Sequence, residues 1–515
     1  MYSTVCSGAL LGVSAYLVSV EVDVAQGLPG FSMVGSLGGE VRESRERVSV
    51  ALKNAGFSLP PKKVTVNLSP ADRRKDGSAF DLPIAVGLME AMSLVPEGAG
   101  KGILFLGELG LDGELRKVRG VLPIVRAAAD QGIRQCIVPA ANAWEGAVVP
   151  GMQVRGASHV REVFDFLAQG DAALREGILP AQPAGANWDL RADDPSRTPD
   201  FSDVCGQETA KRAAEIAAAG FHNLLMVGPP GAGKSMIAKR IPGILPPLTR
   251  EESLEVTTVA SVAGILEEGH GLVTRRPFCS PHHTASQPAL VGGGSNPRPG
   301  LVSLAHRGVL FLDELPEFRR AALDALRQPL EERRVHVSRV SGNVTYPSDF
   351  MLVCAMNPCP CGYYPDRNRC RCTEPVVKRY VGKVSGPILD RIDLCVELLP
   401  VDVEGLQGRR RAETSREIRA RVLRARQRQT ERFRGTARRF NADVEAAETE
   451  KYCILEEGAR ELLGQLYQSL GLSARAYHRL LKVARTIADL EDRDEIGAEQ
   501  LLEAACYRPV QDYWL

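Results

Sequence analysis

Residues 224–235 read LLMVGPPGAGKS, a short apolar run that leads into a glycine-rich loop and a Lys-Ser pair. Residues 228–235 match the phosphate-binding pattern GxxxxGK[ST] in full, and the loop stands between a strand-like run and a helix-like run, the context that the pattern requires. Its glycines allow successive backbone N–H groups to turn toward phosphate at a helix N-terminus. The stretch therefore predicts a nucleotide-binding α/β domain with a doubly wound sheet.

The loop also predicts how ATP and Mg²⁺ would be held. Lys234 would reach the β- and γ-phosphates, and the hydroxyl of Ser235 would bind Mg²⁺. The predicted nucleotide-binding residues are Gly228, Pro229, Pro230, Gly231, Ala232, Gly233, Lys234 and Ser235.

A second apolar run, VLFLDE at residues 309–314, ends in two carboxylates. Asp313 would hold the metal, usually through water, and Glu314 would orient and polarise the attacking water. The run alone also fits an ordinary strand end. Together with the upstream phosphate loop it indicates ATP hydrolysis.

The sequence on either side divides into segments of different composition. A chain of 515 residues exceeds what one hydrophobic core usually supports. Residues 1–168 mix β-branched runs with helix-like spacing and predict an α/β domain, whereas residues 169–200, rich in Ala, Pro, Gly and Asp, predict an exposed linker. Residues 201–400 hold the strand-like runs of the nucleotide-binding core, and residues 401–515 are predicted to be mostly helical.

Overall charge and hydropathy restrict the function only weakly. The 64 basic and 63 acidic residues nearly cancel, so global charge identifies no partner. The N-terminal stretch MYSTVCSGALLGVSAYLVSV has no basic residue before its apolar part, and an acidic residue follows soon after it. This pattern favours neither a signal peptide nor a membrane span, so we expect a cytoplasmic protein without a membrane partner.

Four of the twelve cysteines form two close pairs separated by eight residues. The four are Cys359, Cys361, Cys370 and Cys372. Four thiolates in tetrahedral array suit Zn²⁺ and leave no open position for a catalytic water, so a structural zinc loop at 359–372 is predicted. The alternative is a set of reduced structural cysteines, because CxC spacing is less common than CxxC in zinc sites.

As an ordered set, the motifs resemble the Mg-chelatase-like AAA+ ATPases of the ComM/YifB family along essentially the whole chain. The set is GQETAKRAAEIAAAGFHNLLMVGPPGAGKS, FCSPHHTAS, AMNPCPCGYY, GPILDRIDL and LSARAYHRLLKVARTIADL. The resemblance implies an AAA+ core at 201–400, a helical lid at 401–515 and a homo-oligomer, a hexameric ring. It also implies a branch-migration helicase that acts on recombination intermediates during natural transformation.

The same resemblance assigns three further residues of the hydrolysis site. Asn357 matches the sensor-1 residue that helps to place the lytic water, although a turn-capping Asn before a proline is the ordinary alternative. Arg475 matches the sensor-2 arginine of the lid, with Arg479 one helical turn away as its competitor. Arg391 matches the arginine finger that enters a neighbouring subunit's site. An intrachain salt bridge from Arg391 to Asp390 or Asp393 is the alternative.

Two basic segments are candidates for contact with DNA. Residues 334–350 read as two strands around Ser-Gly-Asn, which resembles the pore-lining hairpin of related DNA motors, with Arg334 and Arg339 as phosphate contacts. Residues 409–439 hold thirteen arginines and three glutamates, and Arg419 and Arg426 are the candidates there. In both segments the alternative is an ordinary solvated face, paired with acidic neighbours in the arginine-rich one.

His282 and His283 lie between the two nucleotide motifs, where AAA+ motors commonly insert elements that contact substrate. Adjacent histidines point in different directions on regular structure, and no carboxylate follows at useful spacing. Metal ligation by this pair is therefore not expected.

The N-terminal segments RKDGSAFDLPIAVGLMEAM and GELGLDGELRKVRGVLPIVRAAADQGI resemble the peptidase domain of Lon. Its chemistry needs a Ser nucleophile activated by a Lys amine. The matching positions hold Ala79 and Leu122, so a domain without peptidase activity is expected, unless Ser78 with Lys75 or Lys117 takes over. Residues 1–168 would then serve oligomerisation or DNA contact.

The sequence motifs are also compatible with two other functions. A chelatase-type motor that remodels a partner protein would share every nucleotide motif. An ATP-dependent Lon-like protease would need a working peptidase site in the N-terminal domain.

Overall fold

The computed structural model describes residues 1–170, 172–173, 176–183, 199–269, 271–294, 297–339, 342–400 and 413–507. Most of the predicted linker at 169–200 and residues 401–412 of the last segment lie outside these ranges. The α/β class with a parallel nucleotide-binding sheet is confirmed.

The N-terminal part of the chain is built on a mixed sheet that has seven strands in the described residues, in the order β3-β4-β2-β1-β5-β8-β9. Strand β2 shows why these residues form a sheet: Val18, Val20, Val22 and Val24 are buried, and the residues between them face outward with the period of two that a strand imposes. The strands are Tyr2–Leu11 (β1), Ser14–Ala25 (β2), Gly30–Val34 (β3), Lys63–Ser69 (β4), Ile103–Phe105 (β5), Glu108–Leu109 (β6), Leu115–Arg116 (β7), Gln135–Pro139 (β8) and Gln153–Ala157 (β9).

Strands β1, β2 and β4 pair antiparallel, whereas β3 with β4 and the series β1, β5, β8 and β9 pair parallel. The short strands β6 and β7 form a separate hairpin. The helices of this part are Gly39–Asn54 (α1), Asp81–Ala91 (α2), Val121–Asp130 (α3), Ala143–Gly146 (α4) and Val160–Gln169 (α5).

The central part of the chain is built on a second sheet, in the order β11-β14-β17-β10-β18, in which every pairing is parallel. Its middle strands are buried along their whole length, as expected for a parallel sheet covered by helices on both faces. The five strands are Leu224–Val227 (β10), Phe278–Cys279 (β11), Val309–Leu312 (β14), Met351–Met356 (β17) and Leu394–Glu397 (β18).

Two small hairpins stand beside this sheet. One pairs Gly292–Gly293 (β12) with Arg298–Pro299 (β13), and the other pairs Arg334–Arg339 (β15) with Gly342–Pro347 (β16). The second confirms the hairpin expected over 334–350. The helices of the central part are Glu208–Gly220 (α6), Lys234–Ile244 (α7), Arg250–Ala263 (α8), Gln287–Val291 (α9), Leu301–Leu304 (α10), Arg320–Asp324 (α11), Arg327–Glu332 (α12), Glu374–Val381 (α13) and Gly386–Leu389 (α14).

Residues 413–507 form helices that pack on the central part. The long helix α15 starts at a capping box, in which Thr414 and Glu417 satisfy each other's backbone N–H groups. The helices are Ser415–Arg432 (α15), Thr449–Tyr452 (α16), Glu457–Ser469 (α17), Ala474–Leu490 (α18) and Ala498–Cys506 (α19). Helix α15 packs against α6, α7 and α18, so one hydrophobic core joins these helices to the central sheet.

The N-terminal sheet and the central part meet along helices α3 and α8. Gly120 N donates to Ser261 O at 3.0 Å, and the Ser261 hydroxyl donates to the buried Glu145 carboxylate. In the described part of the chain, no helix combines the length and the apolar character that crossing a membrane requires.

Candidate active site

The phosphate loop connects β10 to α7 and has the backbone that anion binding needs. Gly231 and Gly233 have φ of 80° and 93°, a left-handed conformation that side chains other than glycine rarely adopt. A Cβ at Gly228 would stand 2.6 Å from Leu398 O, so this glycine is needed for close approach. Helix α7 begins at Lys234, which leaves its first N–H groups facing the loop.

Lys234 is held by the loop itself and by the predicted sensor residue. Its Nζ donates to Gly228 O at 2.6 Å, to Pro229 O at 2.9 Å and to Asn357 Oδ1 at 3.0 Å. Burial lowers the pKa of Lys234, and the nearby charge of Asp313 opposes that shift. The structure thus brings the predicted Lys234 and Asn357 together at the carboxyl edge of the sheet.

Ser235 and Asp313 lie side by side, as a shared metal site requires. Ser235 Oγ donates to Asp313 Oδ2 at 2.6 Å, and the other carboxylate oxygen accepts from Glu314 N at 2.9 Å. A hydroxyl and a carboxylate are the hard oxygen ligands that Mg²⁺ prefers, usually with several waters retained. These residues fit Mg²⁺.

Glu314 has a contact that the sequence did not reveal. The backbone φ of Glu314 is 52°, and Glu314 Oε2 lies 3.2 Å from His283 Nδ1. His283 follows β11, the strand that pairs with β14, and Asp313 directly follows β14. His282 instead contacts the Thr284 hydroxyl at 2.9 Å. The order of the strands brings His283 to Glu314, the carboxylate predicted to be catalytic, and no local sequence pattern gives strand order.

Gln207 is a second residue that the sequence reading did not assign. It has φ of 59°, and its Nε2 donates to Ala232 O at 3.1 Å and to Leu399 O at 2.6 Å. These bonds tie the phosphate loop to the end of β18. The sequence signal that could have identified Gln207 is its position directly before α6, inside the motif that begins GQETAKR.

Arg391 lies at the opposite edge of the sheet. Its backbone O accepts from Asn223 Nδ2 at 2.8 Å, and Asn223 immediately precedes β10, whereas the phosphate loop follows β10. Four strand residues span about 13 Å. The backbone of Arg391 therefore lies at the end of β10 opposite to the phosphate loop of the same chain.

The side chain of Arg391 is engaged within the chain, with a partner other than the two anticipated. Its guanidinium contacts Glu331 and Pro387 O, instead of Asp390 or Asp393. Burial, with Arg475 nearby, lowers the pKa of Arg391.

Arg475 shares this edge and lies 3.5 Å from Asp390. Arg479 is buried and donates to Ile392 O, so it supports the fold rather than facing open space. The structure places Arg475 beside Arg391 and not beside the phosphate loop.

The four loop cysteines lie together in a tight cluster. Their Sγ atoms are all within 4.8 Å of one another, with separations of 3.3, 3.8 and 3.5 Å for three of the pairs. A tetrahedron of Zn–S bonds of about 2.3 Å has S–S edges of about 3.8 Å. Burial raises the pKa of the Cys361 thiol, but hydrogen bonds from Tyr363 N and the other thiols outweigh this and bring it to about 6. The donor set and its spacing fit Zn²⁺.

The cysteine loop touches the phosphate loop directly. A Cβ at Gly362 would stand 2.5 Å from Pro230 Cδ. The predicted metal site therefore supports one wall of the nucleotide site.

We expect Cys370→Ser to abolish zinc binding and to lower the melting temperature by at least several degrees, because four-ligand zinc sites contribute directly to folding free energy. Metal analysis of the purified protein should find about one zinc per chain. The matched control is Cys506→Ser, an exposed thiol outside the cluster, which should retain the metal. Full zinc content in the Cys370 variant would contradict the assignment.

The DNA candidates differ in their surroundings. Arg334 is exposed on β15, and the side chain of Arg339 lies outside the described residues. Arg419 is half-buried on α15. Arg426 is turned inward: it lies 3.9 Å from the Phe440 ring centroid and donates to Arg439 O at 2.9 Å, and burial lowers its pKa to about 10. This inward position does not fit the predicted role of Arg426 as a DNA contact.

Other arginines of the basic segment have acidic partners within the fold. Arg421 pairs with Glu215 and Glu413, and Arg432 pairs with the fully buried Asp489. Arg428 reaches Asp492 at 2.6 Å. Much of the local positive charge is therefore neutralised by the chain itself, although residues 409–412 lie outside the described residues.

The positions of the Lon-like peptidase contain no Ser-Lys pair among the described residues. Ser78 donates to Glu108, Lys75 Nζ donates to the carbonyls of Pro70 and Arg73, and Lys117 Nζ donates to Leu266 O. Leu122 is buried. Neither Lys75 nor Lys117 donates to the Ser78 hydroxyl, so the described residues of this region do not form the hydrogen-bonded Ser-Lys pair that the peptidase chemistry needs.

Comparison with known proteins gives matches along nearly the whole chain. Family models match residues 20–142 (subunit ChlI of Mg-chelatase), 200–406 (magnesium chelatase, subunit ChlI) and 412–508 (magnesium chelatase, subunit ChlI C-terminal). YifB of Salmonella typhimurium is 44% identical over 98% of this chain and 96% of its own length. The competence protein ComM of Haemophilus influenzae is 43% identical over 98% and 97%. The magnesium-chelatase 67 kDa subunit of Chlorobaculum tepidum is 26% identical over 39% and 27%.

Proposed function

Because this chain belongs to the ComM/YifB family of Mg-chelatase-like AAA+ proteins, we propose that it is a ring-forming ATPase that drives branch migration of DNA during recombination. The observation that carries the proposal is the division of the site between two edges of the sheet. The phosphate loop, Asp313, Glu314 and Asn357 lie at one edge, and Arg391 and Arg475 lie at the other.

A complete hydrolysis site then needs two subunits. A ring stacks the carboxyl edge of one central domain against the amino edge of the next, which brings Arg391 and Arg475 to a neighbour's γ-phosphate. Six subunits per ring is the number that the family resemblance implies, and it is part of this proposal. Arg391 must leave Glu331 to reach the nucleotide.

Within such a site the residues of the chain divide the work. Lys234 would exchange its carbonyl partners for phosphate oxygens, and Glu314 would accept the proton of the attacking water that Asn357 helps to place. Mg²⁺, held by Ser235 and Asp313, would neutralise the developing charge on the phosphates. Arg391 would stabilise that charge from across the interface.

The DNA part of the proposal has its own support. The near full-length similarity to a competence protein favours recombining DNA as substrate, and the β15–β16 hairpin presents Arg334 to solvent beside the nucleotide-binding core. A cytoplasmic location is consistent with this substrate.

The test is branch migration of a labelled synthetic four-way junction. We expect conversion to duplex products with ATP, and none with a non-hydrolysable analogue or with Lys234→Ala. Binding to the junction should weaken steeply as salt rises, because phosphate contacts release counterions.

Two other outcomes would replace the proposal. ATP hydrolysis without appreciable DNA affinity would favour the chelatase-type remodelling of a partner protein. Casein cleavage that is lost in Ser78→Ala would favour the ATP-dependent protease.

A further inference from the structure

A cleft lies between the N-terminal domain and the central part of the chain, at the place that corresponds to the missing peptidase site. Ser78, Ala79 and Arg119 line it from the N-terminal side, and Arg298, Val344 and Tyr346 line it from the central side. A second cavity shares Ser78, Arg119 and Arg298 with the first. The two cavities therefore adjoin at Arg119 and Arg298, and together they are called the groove.

Arg119 and Arg298 come from different domains and line the same two cavities. Neither side chain has an ion pair or hydrogen bond among the residues that the structure describes. Burial lowers the pKa of Arg119, the positive charge of Arg298 lowers it further, and Glu40 opposes the shift. Two neighbouring guanidinium groups repel each other unless an anion lies between them.

The position of Arg119 is fixed by packing rather than by chance. A Cβ at Gly264, whose φ is 78°, would stand 2.7 Å from both Arg119 Cγ and Cδ. The aliphatic part of Arg119 thus lies flat on a glycine of the opposite domain, which holds its guanidinium at the domain boundary.

Other charges along the groove leave a positive excess at the first cavity. Arg73 lies 5.0 Å from the Tyr16 ring centroid, and Arg74 pairs with Asp76 at 3.0 Å. Asp72 is the other acid there, whereas Glu40 and Glu108 line the second cavity, where Glu108 accepts from Ser78. The excess is concentrated where the two domains face each other.

We propose that Arg119 and Arg298 form a phosphate-binding groove through which the N-terminal domain holds the backbone of the DNA on which the motor acts. A guanidinium fork binds phosphate oxygens bidentately, and two guanidinium groups that line two adjoining cavities suit successive phosphates of a backbone. The groove is walled by Val344 and Tyr346 of the β15–β16 hairpin, so a strand in contact with that hairpin has a direct path past both arginines. The inference rests on the proposed DNA function and assigns the domain a part in it.

The test compares Arg119→Gln, Arg298→Gln and their double variant in the full-length protein, with DNA affinity measured by fluorescence anisotropy over a range of salt concentrations. The double variant should bind DNA about 10-fold or more weakly, and its log–log salt slope should fall by about 1.4 to 1.8. The charge-matched control is Arg134→Gln with Arg320→Gln, one exposed arginine from each domain and neither in the groove. This control variant should change neither the DNA affinity nor the salt slope.

Hydrolysis of ATP without DNA and the melting temperature should stay within experimental error in both double variants, which separates loss of binding from loss of folding. An unchanged salt slope in the Arg119, Arg298 variant, with wild-type protein still binding DNA, would overturn the groove and leave the DNA motor standing. If the wild-type protein binds no DNA, the proposed function itself fails.

A separate experiment distinguishes a site for free phosphate from a site for the DNA backbone. Inorganic phosphate that raises the melting temperature of the wild-type protein but not of the double variant, while DNA affinity is equal in both, would assign the groove to a small anion and overturn the proposal.

Discussion

Glu314→Gln should bind ATP as tightly as the unaltered chain and lose about 100-fold or more of its turnover. The amide keeps the shape of the side chain but cannot accept the proton of the attacking water, and general-base catalysis of this kind contributes about 10² to 10⁴ in rate. The binding contacts of Lys234 and Ser235 do not involve Glu314. Nucleotide affinity by fluorescence titration and steady-state phosphate release measure the two quantities.

The control is Glu317→Gln, a carboxylate of the next turn that pairs with Lys383 at 3.2 Å outside the site. It should hydrolyse ATP at nearly the normal rate. His283→Ala tests whether the loss arises only from the broken contact with His283. If that variant and Glu314→Gln fell equally, Glu314 would lose its role as base.

Arg391→Ala should leave nucleotide affinity of the isolated subunit unchanged and lower the ATPase rate of the assembled ring by about 10³-fold or more, the range that arginine fingers contribute. The reason is its place beside Asn223, at the edge of the sheet opposite the phosphate loop. Arg320→Ala, an exposed arginine of the same domain, is the matched control.

Mixed rings decide whether Arg391 acts across the interface. Lys234→Ala subunits retain the finger, and Arg391→Ala subunits retain the phosphate loop, so some interfaces of a mixture are complete. Activity should reappear on mixing two inactive proteins. A mixture that remains inactive, although gel filtration shows assembled mixed rings, would place the role of Arg391 within its own subunit.

The sequence predicted the motifs that consist of residues close together in the chain. The phosphate loop, the paired strand-end carboxylates and the spacing of the cysteines are such local patterns, and the structure places Ser235 beside Asp313 and the four thiols together. These patterns work because the backbone conformation of a loop is encoded by the glycines and prolines within it.

The remaining features depend on which distant segments become neighbours. Contact of His283 with Glu314 follows from the pairing of β11 with β14, and the inward turn of Arg426 follows from the position of Phe440. The sequence of the arginine-rich segment predicted a charged surface, because acidic partners such as Glu215 and Asp489 are remote in sequence. Strand order and helix packing supply this information, and neither has a local signature.

The distance between Arg391 and the loop of its own chain has a genetic consequence. In the proposed ring, each copy would supply half of one catalytic centre to the copy before it and half of another to the copy after it. A copy that has lost one half would disable one shared centre, whereas a copy that has lost both halves would disable two, one with each neighbour. Alleles that spare assembly but spoil both halves should therefore interfere more strongly with normal protein made in the same cell than alleles that prevent assembly.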